Sequence, residues 1–344
     1  MTDIDIRIEG RAGRITLTRP QALNALTWEM CLEIEKALGA WAEDGAVALV
    51  IIDAEGERAF CSGGDIAEMY ATAKAGDFDY GRRFWSDEYR MNRALFHFPK
   101  PVITFLQGFT MGGGVGVGCH GSHRIVCESS QIAMPECGIG LVPDVGGSLL
   151  LARARGRLGE YLGTTATRMD AADAIYAEFA DFYIPEAHWP SLKQALIETG
   201  DWEAVDRSAQ TPPAGTLARL QPHIDRYFGG ESLTDIVGPL TFVDSAFATE
   251  TLKKMGRNDP LAMAATIEMI HRVRPFDSIE KALETEYRYT GRSAENGSFI
   301  EGIRAAIIDK DRSPNWPHTI ESVPAVEVSK MLMPIPNDWP QLTF

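Results

Sequence analysis

From Met111 to Gly118 the chain reads Met-Gly-Gly-Gly-Val-Gly-Val-Gly, and glycine at this density restricts what can precede and follow it. The run Val102 to Leu106 just upstream is short, apolar and β-branched, as expected of a buried strand, and Gly108 breaks it. Consecutive glycines let the backbone bend where a Cβ would clash, and they let a ligand approach the main chain. A helix beginning near Gly113 leaves its first amides without intrahelical acceptors. Such amides suit a standing anion, or an oxygen that becomes negative only during reaction. Close packing of backbones is the alternative reading of the same glycines.

The pattern has a second copy. Val47 to Asp53 reads as another buried strand, followed by Phe60-Cys-Ser-Gly-Gly-Asp-Ile66, in which Gly-Gly-Asp is expected to open a helix. If the two strands are parallel and adjacent, the amides of Gly64 and Gly113 surround one carbonyl oxygen, forming an oxyanion hole without side chains. Downstream stand two spaced carboxylates, in Met134-Pro-Glu136 and in Pro143-Asp144-Val-Gly-Gly147.

Several functional classes are excluded. Gly116-Val-Gly-Cys-His-Gly121 matches the dinucleotide pattern G-x-G-x-x-G, but its strand ends near Gly108, and the next strand-like run, Arg124 to Cys127, is followed by Glu128 far too early for the acidic residue expected about 20 positions on. A net charge of −15 without a basic stripe argues against nucleic acid. No apolar run reaches the roughly 18 to 20 residues that span a bilayer, so no membrane insertion is expected. Five cysteines without C-x-x-C spacing, and an acidic, alternating N-terminus, point to a reducing cytoplasm. Cys119, His120, His123 and Cys127 alternate faces around a glycine rather than converge, so no metal site is expected.

Taken in order, Ile4 to Ile8 and Arg14 to Thr18 read as a hairpin. Thr27 precedes a helix with Cys31, Ile34, Leu38 and Trp41 on one stripe. Helices are expected over Ala67 to Ala75 and Arg82 to His97, then short strands at Arg124 to Cys127, Gln131 to Met134 and Asp181 to Ile184. This β/α alternation predicts an α/β fold with a parallel sheet. Beyond Pro190 strand signals stop, and helices are expected at Leu240 to Met255, Pro260 to Arg272, Ser278 to Tyr289 and Phe299 to Ile307. The tail from Pro324 is expected to be extended. The division expected is a core over residues 1–200 and a helical region with tail over 201–344.

Phe60-Cys-Ser-Gly-Gly-Asp-Ile and Gly108-Phe-Thr-Met-Gly-Gly-Gly-Val-Gly resemble the enoyl-CoA hydratase/isomerase (crotonase) superfamily. Met134-Pro-Glu, Gly140-Leu-Val-Pro-Asp-Val-Gly-Gly and Ile307-Ile-Asp-Lys-Asp-Arg-Ser-Pro are similar to its 3-hydroxyisobutyryl-CoA hydrolase branch. The resemblance runs from Arg19 to Trp316 and implies a ββα spiral core, an acyl-CoA substrate with no separate cofactor, and a homo-oligomer, trimer or hexamer. It further implies that Ala22, Leu23 and Ala25 lie along the coenzyme A nucleotide, that Glu88 contributes to the substrate pocket, and that Glu136 and Asp144 act on the thioester. Arg58 is a candidate cation for the coenzyme. The chain departs from the hydratases at Gly116, where they carry the first of two glutamates; a glycine transfers no proton. Thioester hydrolysis, enoyl-CoA hydration or isomerisation, and noncatalytic acyl-CoA binding remain the three readings. Helix capping is the bland alternative for Glu136 and Asp144.

Overall fold

The structure, a computed structural model, describes residues 3–344. The chain forms two compact units. One comprises the chain up to Asp65, Arg90–Ala133 and Arg168–Ala218; the other comprises Ile66–Tyr89, Met134–Thr167 and Arg219–Phe344.

The first unit holds nine strands, β1 (Ile4–Glu9), β2 (Ala12–Leu17), β3 (Leu49–Ala54), β4 (Ala59–Cys61), β5 (Val102–Leu106), β6 (Phe109–Met111), β7 (His123–Val126), β8 (Gln131–Ala133) and β9 (Phe182–Tyr183). They form a six-stranded sheet in the order β1-β2-β3-β5-β7-β9 and a three-stranded sheet in the order β4-β6-β8. Among the described residues β1 and β2 are the only two strands that pair antiparallel, with Ile6 opposite Ile15; the other strand-to-strand ladders are parallel. Parallel strands covered on both faces need continuous apolar runs, and Val102 to Leu106 is buried throughout. The Trp189–Thr199 helix covers the large sheet through Trp189, Leu192 and Leu196, with Trp189 meeting Phe105 edge-on at 5.1 Å.

The α/β reading therefore holds, and the echo between the two glycine segments has a structural cause. A strand of the large sheet is followed each time by a short strand of the small one: β3 by β4, β5 by β6, β7 by β8. Gly108 makes one of these turns at φ +56°, where an added Cβ would lie 2.2 Å from the Arg58 carbonyl oxygen. The short strands β4 and β6, three residues each, are too brief to show an alternation.

The second unit is helical and centres on Pro260–Val273. Asp259 accepts from the Ala262 amide at 3.1 Å to start this helix, and ten of its residues are buried. Leu158–Thr165 packs closely on it, where Gly163 faces Thr266. Three expectations for this region change. The helix expected over Leu240 to Met255 is two helices, Leu233–Thr241 and Ala246–Met255, because Ser245 caps a new start by accepting from the Ala248 amide. The helix begun at Phe299 loosens into a π turn at Arg304–Ile308. The tail after Pro324 is not wholly extended: Ala325–Met331 is helical and buries Met331 and Leu332. Proline fits there because it precedes the first turn, where its missing N–H costs nothing. No helix of the described residues is long and apolar enough to cross a membrane.

Candidate active site

In the first unit the two glycine segments arrive side by side. Strands β4 and β6 pair in parallel, Ala59 with Phe109 and Cys61 with Thr110, so both chains emerge at the same end of the small sheet. Gly113 opens the short helix Gly113–Gly118 and its amide has no intrahelical acceptor. The helix after Gly64 starts later than expected, at Ala67, and the Gly64 amide is presented by a different device. Leu26 bridges Gly64 in parallel, donating to the Gly63 carbonyl at 2.9 Å and accepting from the Asp65 amide at 2.8 Å. That bridge uses the neighbours of Gly64 and leaves its own N–H outside. Gly63, at φ +113°, sits so close that a Cβ there would be 3.3 Å from Met111 O and 3.9 Å from Gly113 N. Gly114 approaches more closely still, with its Cβ position 2.3 Å from the Cys61 carbonyl.

The loop expected to follow the nucleotide is stitched to the same segment. Leu23 and Asn24 both have left-handed backbones, φ 52° and 54°, and the Leu23 carbonyl accepts from Ser62 N at 3.0 Å. Asn24 is buried and donates to the carbonyls of Glu55 and Ala59. Arg19 clamps the Ala25 carbonyl at 2.7 Å and Asp65 at 3.0 Å. Ala22, Leu23 and Ala25 are thus half-buried and held beside Gly64, while Arg58 is exposed. Cys61 is a buried thiol at the end of β4. His123 stacks on Phe182 and His120 meets Phe96 edge-on.

In the second unit four carboxyl groups share one buried region. Glu88, Glu136, Asp144 and Glu286 are between 0 and 5% exposed. Glu88 Oε1 and Glu136 Oε2 are buried without a hydrogen-bond partner in the protein. Glu136 opens the 3-10 turn Glu136–Ile139, and its own backbone amide donates to its carboxyl group. That turn is pinned from below, because the Cys137 carbonyl accepts from Asp259 N at 2.8 Å and the Cys137 thiol lies against Gly163 O and Thr266. Asp144 does not cap the helix that follows it. Its Oδ2 accepts from the Tyr89 hydroxyl at 2.8 Å, and the phenol oxygen is 3.2 Å from Thr290 Oγ1.

Burial dominates the electrostatics. It pushes Glu136 and Glu88 well above the usual carboxylate range, and the neighbouring Asp144 charge pushes both in the same direction. Asp144 itself is raised to about 7 by burial, against the lowering effect of the Tyr89 bond. Carboxyl groups titrating near neutrality can exchange protons with a substrate at working pH.

Glu286, on the helix Ile279–Asn296, was not legible in the sequence. It is completely buried and accepts from Gly146 N at 2.8 Å, Ser148 N at 2.9 Å and the Ser148 hydroxyl. It therefore caps the Gly147–Arg153 helix from a distance of 138 residues to Ser148. Its local spacing, in Leu-Glu-Thr-Glu-Tyr, resembles that of any helix with an exposed acidic face. The segment Ile307–Pro314 also has a structural explanation: Arg304 bonds Glu301, Asp309 and Asp311, and the chain winds around that guanidinium.

The chain matches the model of the enoyl-CoA hydratase/isomerase family over residues 12–332. It is 34% identical over 348 residues to the 3-hydroxyisobutyryl-CoA hydrolase, mitochondrial, of Gallus gallus, covering 98% of this chain and 90% of that one. The protein of the same name from Homo sapiens is 33% identical, covering 90% and 82%. Among solved structures, an enoyl-CoA hydratase from Rhodobacter sphaeroides 2.4.1 superposes with a TM-score of 0.94 at 54% identity over 97% of this chain and 98% of its own. A carnitinyl-CoA dehydratase from Mycobacterium thermoresistibile gives 0.94 at 39% identity, over 100% and 99%.

Proposed function

Because the chain belongs to the enoyl-CoA hydratase/isomerase family, we propose that it hydrolyses the thioester of a 3-hydroxyacyl-CoA, with 3-hydroxyisobutyryl-CoA as substrate and 3-hydroxyisobutyrate and coenzyme A as products. The observation that carries this reading is the buried carboxyl pair Glu136 and Asp144, the first with an oxygen that no protein group satisfies. The names of the relatives from Gallus gallus and Homo sapiens support it.

In this reading the amides of Gly64 and Gly113 hold the thioester oxygen as it becomes tetrahedral and negative. One such donor contributes about 3–4 kcal/mol of transition-state stabilisation. Glu136 acts at the carbonyl carbon, either forming an anhydride or taking a proton from the attacking water. The C–S bond breaks as the tetrahedral oxygen collapses, and Asp144, half-protonated near neutral pH, gives its proton to the departing thiolate. Before that it binds the 3-hydroxyl. In a single turnover in ¹⁸O-water, label in Glu136 marks an anhydride opened at the glutamyl carbon, because the base route sends all label to the product.

Hydration of an enoyl-CoA is the second reading, favoured by the name of the Rhodobacter sphaeroides structure. Position 116 speaks against it, since a buried glycine stands there and offers no carboxylate. The deciding experiment offers 3-hydroxyisobutyryl-CoA and crotonyl-CoA separately, following thiol release and loss of the conjugated double bond. Thiol release from the first substrate, with crotonyl-CoA unchanged, supports hydrolysis. Double-bond loss without thiol release returns the chain to the hydratases.

A further inference from the structure

We propose that Glu286 is a positioning residue for Asp144: it anchors the turn that carries Asp144, while Tyr89 and Thr290 fix the carboxyl group at the other end. The proposal rests on the reading that Asp144 takes part in the reaction.

The turn Pro143–Gly147 is one the chain would not hold unaided. Val145 has φ +54°, a left-handed backbone that a β-branched residue rarely adopts, and Gly146 follows at φ +80°. Such a conformation is strained and persists only where its surroundings over-determine it. The Gly147–Arg153 helix begins there with a glycine at its cap position, so no local side chain serves its first amides. An Asp at position 144 is a natural candidate for that duty, and here it is released from it. Glu286 accepts from both Gly146 N and Ser148 N, the two amides flanking Gly147. The Asp144 carbonyl closes the turn by accepting from Gly147 N at 2.6 Å.

Thr290 stands four residues beyond Glu286 on the same helix, hence on the same face. Its hydroxyl meets the phenol of Tyr89, whose proton goes to Asp144. One helix face thus fixes Asp144 twice, through its backbone and through its side chain. The groups that face Glu286 are Asp144, Ser148, Tyr89 and Glu136, with Glu88 beyond them; no cation is among them. A completely buried carboxyl group bonded to two backbone amides and a hydroxyl is a costly anchor, and a serine at the cap position would serve the helix more simply. What a serine could not supply is the tie to the helix that carries Thr290.

The test uses the full chain and the variants Glu286→Gln, Asp144→Asn and the double variant. Gln keeps the size of the side chain but presents an N–H where one backbone amide must donate. For thioester hydrolysis the expected result is a fall in kcat of about 10²-fold, the scale of a misplaced catalytic group, with KM within twofold. In the Asp144→Asn background the same substitution is expected to change kcat less than twofold, because the group it positions is already gone. Amide hydrogen exchange over 143–148 is expected to rise more than tenfold.

Equal losses in both backgrounds, or kcat within twofold of the parent, overturn the proposal. So does unchanged exchange at 143–148. If the parent chain releases no thiol, the functional reading fails separately, and the exchange measurement still decides whether Glu286 anchors the turn. Should Glu286→Gln not fold, Glu286→Asp carries the same test, since it keeps the carboxyl group and withdraws it by one methylene.

Discussion

Arg82 lies against the indole of Trp339, with its guanidinium carbon 3.3 Å from the ring centroid, and the same group reaches the Gly291 carbonyl, Asp79 and Glu295. The tail is fastened further by Tyr287, which donates to the Pro340 carbonyl at 2.7 Å, and by Arg292, which donates to the Pro334 carbonyl at 2.7 Å. The last residues of the chain therefore strap the helix carrying Glu88 and Tyr89 to the helix carrying Glu286 and Thr290.

Trp339→Ala should lower stability by about 1–2 kcal/mol, through loss of the cation–π contact and the packing under it. Thermal melting checks this. Trp339→Phe should recover part of the loss, since an aromatic face remains for Arg82.

Glu136→Gln and Asp144→Asn should each lower thioester turnover by about 10²–10⁴-fold, the usual range for a positioned acid or base. Neither should unfold the chain, because the neutral amides remove groups that burial already disfavours as anions. Steady-state rates with circular dichroism test both statements, and near-normal turnover removes that residue from the mechanism.

Glycines of different kinds should respond differently to alanine. At Gly114 the added Cβ would lie 2.3 Å from the Cys61 carbonyl, so Gly114→Ala should cost about 3 kcal/mol or more by forcing two backbones apart. Gly39, within the helix Trp28–Ala42, has nothing within 4 Å of its Cβ position. Gly39→Ala should stabilise by about 0.5–1 kcal/mol. Melting temperatures moving in the same direction would contradict this.

Stability should fall as pH rises from about 5 to 9. Asp144 and Glu286 have folded-state values near 7 and 8, each raised first by burial. The folded chain thus holds protons that the unfolded chain has released above pH 4 to 5, and the slope is about 1.4 kcal/mol per pH unit for each such proton. Their contribution is complete at low pH and lost as pH passes through 7 and 8. Glu160, lowered to about 2 by His271 and Arg274 against its own burial, works the other way and weakens the fold only below pH 4.5. Melting curves between pH 5 and 9 test the sign.

How much of this the sequence discloses depends on how local the cause is. Thr27 and the stripe of Cys31, Ile34, Leu38 and Trp41 give the first helix because capping and periodicity act within one or two turns. That the strands leading to Gly64 and Gly113 run parallel and adjacent is inferred from repetition, and β3 pairs with β5, and β4 with β6, in parallel. Two features escape. The helix Ala325–Met331 lies in a proline-rich tail and is stabilised by burying Met331 and Leu332, a tertiary cause without a local sign. Glu286 gives no sign in the sequence because its partners are more than a hundred residues away. Capping by Asp144, plausible from spacing, gives way to the bond from Tyr89, and Glu286 takes the amides at the start of the Gly147–Arg153 helix instead.

The region shared by Glu88, Glu136, Asp144 and Glu286 also acts as a small proton store. With two of its groups titrating near 7 and 8, it holds a fractional number of protons at neutral pH. Any ligand that enters among these groups will take up or release part of that store. The measured heat of acyl-CoA binding will then include the ionisation of whichever buffer supplies or accepts those protons. Two analogues that take up different numbers of protons will rank differently by heat in phosphate and in Tris.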